Sequence, residues 1–197
     1  MIAWQIQSLL MSYPDAQLLS RTPLLRRAAE TLPVTIGAPL PRFLDHLDRT
    51  PLTELEADYV ATFDHRKKFS PYLTYFAYGD TRKRGMALLR FKHAYRAAGL
   101  ELDDSELPDH LSVVLEFAAT GDPVQGQRLL VEHRAGLELM RLGLQEAGSP
   151  YAAVLASVSA TLPPLRGHDR EAIARLAAQG PPEEEVGLAP YMLEGTR

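Results

Sequence analysis

Cysteine is absent from this chain of 197 residues. That one absence excludes disulfides, zinc knuckles, iron–sulfur clusters and thiol chemistry, and it suits a reducing compartment. Metal-binding spacings are missing too. The six histidines (His46, His65, His93, His110, His133 and His168) never fall three or four residues apart, and neither Glu-x-x-His nor His-Glu-x-x-His occurs. The carboxylate-bridged di-iron pattern and the zinc-protease helix are thereby removed. There is no Gly-x-Ser-x-Gly elbow, and the Gly79–Gly85 stretch lacks the Gly-Lys-Ser/Thr ending of a phosphate loop. Nothing in these patterns supports an enzyme. The longest uncharged run, Ala147–Leu165, holds three prolines, three serines and a threonine, too broken for a membrane span. The start, Met1-Ile-Ala-Trp-Gln, has no basic region and no cleavage site of a signal peptide, so the cytoplasm is the expected compartment.

What is present is helix punctuation. The 46% hydrophobic and 23% charged fractions are those of an ordinary globular domain. Leu52, Leu55, Tyr59 and Phe63 fall at helical spacing behind Thr50-Pro51. Leu88, Phe91, Tyr95 and Ala98 form a stripe on a helix expected to be capped by Asp80 and stopped by Gly99. Pro108 is expected to open the next helix, with Leu111, Val114, Leu115 and Ala118 on one face and Gly121 at its end. Asp122-Pro123 starts a long helix to about Ala147, Ser149-Pro150 starts another, and Asp169 caps a last one ending at Gly180. With earlier helices near 2–12 and 15–31, the expectation is an all-α single-domain bundle of eight or nine helices over residues 1–179. Leu32–Pro41 is expected to be a non-helical connector, and 180–197 a loose acidic tail.

Charge is polarised along the chain. Residues 64–96 carry nine Lys/Arg against Asp64 and Asp80, a net +7, whereas residues 97–122 carry seven carboxylates and no base, a net −7. Two neighbouring faces that attract each other, or a recognition surface, would both produce this pattern. Phe69–Tyr78 packs five aromatics into ten residues of a chain only 8% aromatic. A helical turn there puts Tyr72, Tyr75 and Phe76 on adjacent faces. They form either a core cluster or the floor of a groove, because tyrosine joins an apolar body to a polar tip. Glu106-Leu-Pro-Asp-His110 has the look of a helix start, with Asp109 complementing the helix dipole.

Taken together, Phe63–Lys92, which includes Tyr72-Leu-Thr-Tyr75 and Gly79-Asp-Thr-Arg-Lys-Arg-Gly-Met86, and Leu107–Ala118 closely resemble the NarJ-type (delta subunit) chaperones of respiratory nitrate reductase. Leu9-Leu-Met-Ser-Tyr-Pro-Asp15 fits as well, and the likeness runs over roughly residues 5–165. It implies an all-helical fold of the TorD-like group. It also implies a protein that binds the apo catalytic (alpha) subunit, including its N-terminal segment, and supports insertion of the molybdenum cofactor before membrane attachment. No cofactor stably bound to the chaperone, no nucleic-acid partner and no stable membrane association are implied. A homodimer stays open. The wider group shares a Glu-x-Pro-x-Asp-His motif, and Glu106, Pro108, Asp109 and His110 follow it with Pro and Asp adjacent where the group has a spacer.

The resemblance gives the residues a task. An amphipathic, often basic client segment needs an apolar floor, for which Tyr72, Tyr75, Phe76 and Tyr78 are candidates. It also needs a negative rim, for which Asp104, Glu106 and Asp109 are candidates. Pro108 and His110 complete the expected peptide-binding set. On that expectation Asp109→Ala or Tyr75→Ala weakens client-peptide binding with helical content intact. A helical nucleic-acid-binding module using Arg66–Arg96 and a molybdopterin-processing protein are the alternatives.

Overall fold

Seven of the ten residues of the first helix, Ile2–Met11, are buried, and they cover more than half of its circumference, with Ile2, Gln5 and Leu9 on the remaining side. Such a helix must run through the interior. In the computed structural model, which describes residues 2–103 and 106–180, it does so. Among the described residues the order is α1 (Ile2–Met11), α2 (Ala16–Glu30), α3 (Val34–Gly37), α4 (Leu40–Arg49), α5 (Leu52–Phe63), α6 (Tyr75–Tyr78), α7 (Arg82–Ala97), α8 (Leu111–Glu116), α9 (Pro123–Glu132), α10 (Arg134–Glu146), α11 (Tyr151–Thr161) and α12 (Gly167–Gln179). Helix α1 packs against α2, α8 and α11, and α10 packs against α11 and α12. Trp4, Leu10, Met11, Phe43, Leu111 and Leu115 are all but sealed from water.

The buried polar groups of α1 reach partners across the bundle, Gln7 Oε1 excepted, which has none among the described residues. Trp4 Nε1 donates to Thr161 Oγ1 at 3.0 Å, Gln7 Nε2 to Ser157 Oγ at 2.8 Å, and Ser157 Oγ to the Ile36 carbonyl at 2.8 Å. On α10 the buried Glu138 is held by Arg134 at 2.8 Å and Arg141 at 2.7 Å, with Ser159 Oγ donating at 2.5 Å. Burial works against the charged form of Glu138. The hydrogen bonds from Ser159, Arg141 and Arg134 outweigh it, and the pKa falls below the ordinary carboxylate value.

The architecture is the all-α bundle expected, but with more pieces. The Pro/Gly stretch 32–41 contains one-turn α3 and the start of α4. The long helix expected over 123–147 is broken at His133, whose Nδ1–H donates to the Leu129 carbonyl at 2.9 Å while its ring packs 5.4 Å from Phe91. A side chain that takes the carbonyl four residues back competes with the helix ladder, and α9 ends there. Asp80 does not cap α7; Thr81 holds that position, and Asp80 pairs instead with Lys67 at 3.0 Å and Arg84 at 3.4 Å. Asp169 is three residues into α12 and accepts from the Arg166 N–H at 2.7 Å. Of the tail expected over 180–197, residues 181–197 lie outside the described residues, as does Asp104.

Candidate functional site

The aromatic run leaves α5 through a short 3-10 turn, Lys67–Phe69, and then meets the segment before α8 in a single antiparallel bridge between Tyr72 and His110. Leu73 N–H donates to the Asp109 carbonyl at 3.0 Å and Leu111 N–H to the Pro71 carbonyl at 2.9 Å. Extended backbone at the bridge turns successive side chains to opposite sides. The one-turn helix α6 follows, and Gly79, at φ 57°, turns the chain toward α7. Phe69, Leu73 and Phe76 are buried as a result, while Tyr72, Tyr75 and Tyr78 are left half-buried.

Asp109 is fully buried, so it forms no rim. Its Oδ2 accepts from Thr74 N–H at 3.1 Å and Thr74 Oγ1–H at 2.5 Å, and Arg84 Nε donates to Thr74 Oγ1 at 3.1 Å. Arg84 Nη2 stands 3.8 Å from the same carboxylate oxygen. This node ties the aromatic run, α7 and the segment before α8 together. It is the point where the basic and acidic stretches of the sequence meet. Pro108 does not open a helix either. It is buried in the turn before α8, its carbonyl accepting from Tyr95 Oη–H at 2.5 Å, and His110 caps the helix instead.

On one side of this node lies an aromatic shelf with a carboxylate edge. Tyr72 Oη donates to Glu106 Oε1 at 3.2 Å, and the Arg84 guanidinium covers the Tyr72 ring at 5.3 Å. His110 stands edge-on to Tyr72 at 5.3 Å. The Ser112 N–H donates to His110 Nδ1, so the neutral ring carries its proton on Nε2, 3.4 Å from Tyr59 Oη. Tyr59 in turn donates to the Met11 carbonyl at 3.3 Å and packs edge-on against the exposed Tyr13. Burial, and then the Glu106 charge, pushes the Tyr72 phenol up to about 12. Burial lowers the His110 pKa, against the opposing charges of Glu106, Asp109 and Asp64.

On the other side lies an apolar groove of about 670 Å³ between the aromatic run, α10 and α12, lined by Tyr75, Phe76, Leu139, Leu142 and Leu176 with Lys68 at its edge. A cavity of about 270 Å³ adjoins it past Phe76. Gly136 and Gly143, two turns apart on α10, let the aromatics approach this closely. A Cβ at Gly136 would stand 2.7 Å from Phe76 and one at Gly143 2.9 Å from Phe69. The expected floor is therefore split: Tyr72 belongs to the shelf, Tyr75 and Phe76 to the groove. Tyr78 is placed by its own carbonyl, which accepts from Thr81 at 2.7 Å.

A model of the nitrate reductase delta subunit family matches residues 29–157, well over half the chain and the whole of the shelf and node apart from Met11 and Tyr13. The chain belongs to that family. The nitrate reductase-like protein NarX of Mycobacterium tuberculosis is 39% identical over 81% of this chain but only 24% of its own length, so this chain spans about a quarter of that relative. The probable nitrate reductase molybdenum cofactor assembly chaperone NarJ of Bacillus subtilis is 30% identical over 82% of this chain and 88% of its own length. NarJ of Escherichia coli K12 is 31% identical over 78% and 66%. The crystal structure of a putative redox enzyme maturation protein from Archaeoglobus fulgidus superposes with a TM-score of 0.57 at 25% identity, covering 90% of this chain and 94% of that one.

In this delta-family chain the node residues Thr74 and Arg84 and the shelf residues Tyr13 and Tyr59 were not among the sequence candidates. Only the paired glycines of α10 carried a signal for the groove. Among the described residues no three His, Cys, Asp or Glu side chains are placed to hold a metal ion, and no helix is long and apolar enough to cross a membrane.

Proposed function

We propose that this protein is a dedicated, non-catalytic chaperone of a respiratory nitrate reductase. It binds the apo catalytic subunit in the cytoplasm by its N-terminal segment and keeps it competent until the molybdenum cofactor is inserted, before membrane attachment. The names of the Bacillus and Escherichia relatives support the assembly role. The observation that carries the docking site is the half-buried Tyr72 hydrogen-bonded to Glu106 beside His110 and Tyr59. That shelf joins aromatic surface to a carboxylate, which suits a basic amphipathic segment. Each 100 Å² of apolar surface covered contributes about 2.5 kcal/mol, and the carboxylate edge steers the approach.

The test is calorimetric titration with a synthetic peptide of the leading segment of the catalytic subunit. Tyr72→Ala is expected to weaken binding about tenfold, roughly 1.4 kcal/mol, with the circular dichroism spectrum unchanged. Unaltered affinity in both Tyr72→Ala and Glu106→Gln removes the shelf as the docking site. Failure to recover an apo catalytic subunit with the full-length protein from nitrate-respiring cells removes the chaperone reading itself.

A further inference from the structure

Helix α7 carries Arg82, Lys83, Arg84, Arg90, Lys92 and Arg96 and no carboxylate. Arg84 is turned inward to Thr74 and Asp109, and Ala87, Phe91 and Tyr95 form the buried stripe. The opposite stripe, Arg82-Met86-Leu89-His93-Arg96, runs at spacings of four and three and is exposed along its whole length. Its middle is apolar: Met86 is 69% exposed and Leu89 45%. Lys83 and Arg90 flank it on one side and Lys92 on the other.

Helix α9 extends the same surface. Val124, Arg128 and Val131, again at spacings of four and three, are exposed. Glu132, the one carboxylate of α9, is clamped between Arg90 at 2.8 Å and Arg128 at 3.0 Å, which joins the two outer faces. The two helices thus carry seven Lys/Arg against a single carboxylate that two of them already neutralise. Glu101 shares a recess with Lys92 and Arg96 beyond the end of α7, so the charge excess is strongest toward Lys83.

Such a face suits an anionic lipid surface. Bases along a helix are drawn to acidic headgroups, and isolated apolar side chains between them enter the headgroup layer. Nucleic acid suits it less, because Met86 and Leu89 would stand at the centre of the contact against phosphates. A folded acidic protein would have to supply a hollow shaped to this convex ridge, whereas headgroups conform to it.

We infer that the outer faces of α7 and α9 dock the protein reversibly on an anionic bilayer surface, with Met86 and Leu89 entering the headgroup layer and Lys83, Lys92 and Arg96 on acidic lipid. The contact is peripheral, since no described helix is long and apolar enough to cross a membrane. It leaves the shelf open: Arg84, on the inner side of α7, is the group that covers Tyr72, and lipid meets the other side of that helix. The inference goes beyond the client reading and does not depend on it.

Flotation of the full chain with vesicles tests it. The protein is expected to float with phosphatidylcholine vesicles holding about 30% phosphatidylglycerol, and not with phosphatidylcholine alone. Binding should be strong at about 0.1 M salt, where charges act over about 10 Å, and released at about 1 M, where that reach falls to about 3 Å. Lys83→Glu with Lys92→Glu should weaken it about tenfold or more, with the circular dichroism spectrum unchanged. Arg27→Glu with Arg42→Glu, the same change of charge at exposed positions of α2 and α4, should leave it unaltered. The lack of cysteine gives a second reading. A polarity-sensitive dye on Met86→Cys should shift to the blue with anionic vesicles, and the same dye on Val34→Cys, at an exposed position of α3, should not. No flotation of the parent with anionic vesicles overturns the inference. So does an equal loss in the α2–α4 pair, or a dye on Met86→Cys that does not respond. Binding to polyglutamate or to a DNA duplex at a salt concentration where anionic vesicles are not bound overturns it as well, because the partner is then an acidic polypeptide or a nucleic acid. Titration of the client peptide into the vesicle-free samples tests the shelf separately, and neither result decides the other.

Discussion

Tyr72 and Tyr75 are three residues apart, yet they end on two surfaces of opposite character. Tyr72 faces a carboxylate and a neutral histidine; Tyr75 faces leucines with lysines at their edge. Between them sits Thr74, fixed from behind by Asp109 and Arg84. A single buried node therefore orients two surfaces, and a bridge residue followed by one helical turn is enough to send neighbouring aromatics apart. Abundance of aromatics does not define one site. The backbone between them decides how many there are.

The largest effect is expected where both surfaces depend on the same atoms. Asp109→Ala removes the acceptor for both Thr74 donors and one of the two carboxylates beside Arg84, which keeps Asp80. Leaving buried donors without an acceptor costs about 1–3 kcal/mol each. Urea unfolding should show that loss, with shelf and groove disturbed together. This replaces the expectation from sequence that Asp109→Ala spares the fold. A loss below about 1 kcal/mol, the value of an ordinary hydrogen bond, would show that the node does not hold the two sides.

The next change separates the surfaces. Gly136→Ala places a methyl 2.7 Å from Phe76, in a helix that cannot recede without disturbing its packing on α11. Overpacking of this kind costs about 1–3 kcal/mol, and it should fall on the groove alone. Unfolding midpoints should drop while affinity for the client peptide at the shelf is unchanged. A matched fall in peptide affinity would mean the two surfaces act as one.

A smaller effect sharpens the shelf. Tyr72→Phe keeps the ring beneath Arg84 and beside His110 but removes the bond to Glu106, a loss of about 1 kcal/mol or less. In the parent protein the Tyr72 phenol should ionise at about 12, and Glu106→Gln should bring that down by removing a neighbouring charge and the hydrogen bond to it. Ultraviolet absorbance against pH, with Tyr72→Phe as the blank, reads both.

Much of this organisation was legible in the sequence, and the exceptions have physical causes. Asp122 caps α9, accepting from Val124 and Gln125 N–H, and Gly99 turns the chain after α7, because caps and left-handed stops are local chemistry. The helical turn expected to carry Tyr72, Tyr75 and Phe76 forms only at Tyr75–Tyr78, with Tyr72 left in the extended bridge before it. The orientation of Glu106–His110 was not legible. Pro108 and Asp109 have the composition of a helix start, but the bridge to Tyr72 draws them inward, so the helix begins at Leu111. That bridge depends on a partner thirty-eight positions earlier. The groove was hidden for a related reason: its far wall is α10, and only Gly136 and Gly143 hint that an aromatic must fit there.

The last effect comes from pH and again distinguishes the two sides. Burial lowers the pKa of both His110, on the shelf, and His133, beside the small cavity past Phe76. A histidine held below its ordinary value binds its proton more readily in the unfolded chain. Its stability contribution is therefore full above the ordinary value near about 6.5 and is lost as pH falls toward the folded value, by at most about 1.4 kcal/mol per pH unit for each group. The two rings differ in what protonation breaks. His133 Nδ1–H already donates to the Leu129 carbonyl, and that bond survives the added proton. His110 Nδ1 is the acceptor that caps α8 through the Ser112 N–H, and a proton there sets donor against donor at that bond, with the Ser112 hydroxyl oxygen at 2.7 Å left to accept it. Acidification from pH 7 to 5 should therefore destabilise the parent more steeply than His110→Gln, which cannot charge. Amide exchange in the first turn of α8 should rise before that in α10. Equal slopes for parent and variant would place the acid sensitivity on His133 and leave the shelf indifferent to pH.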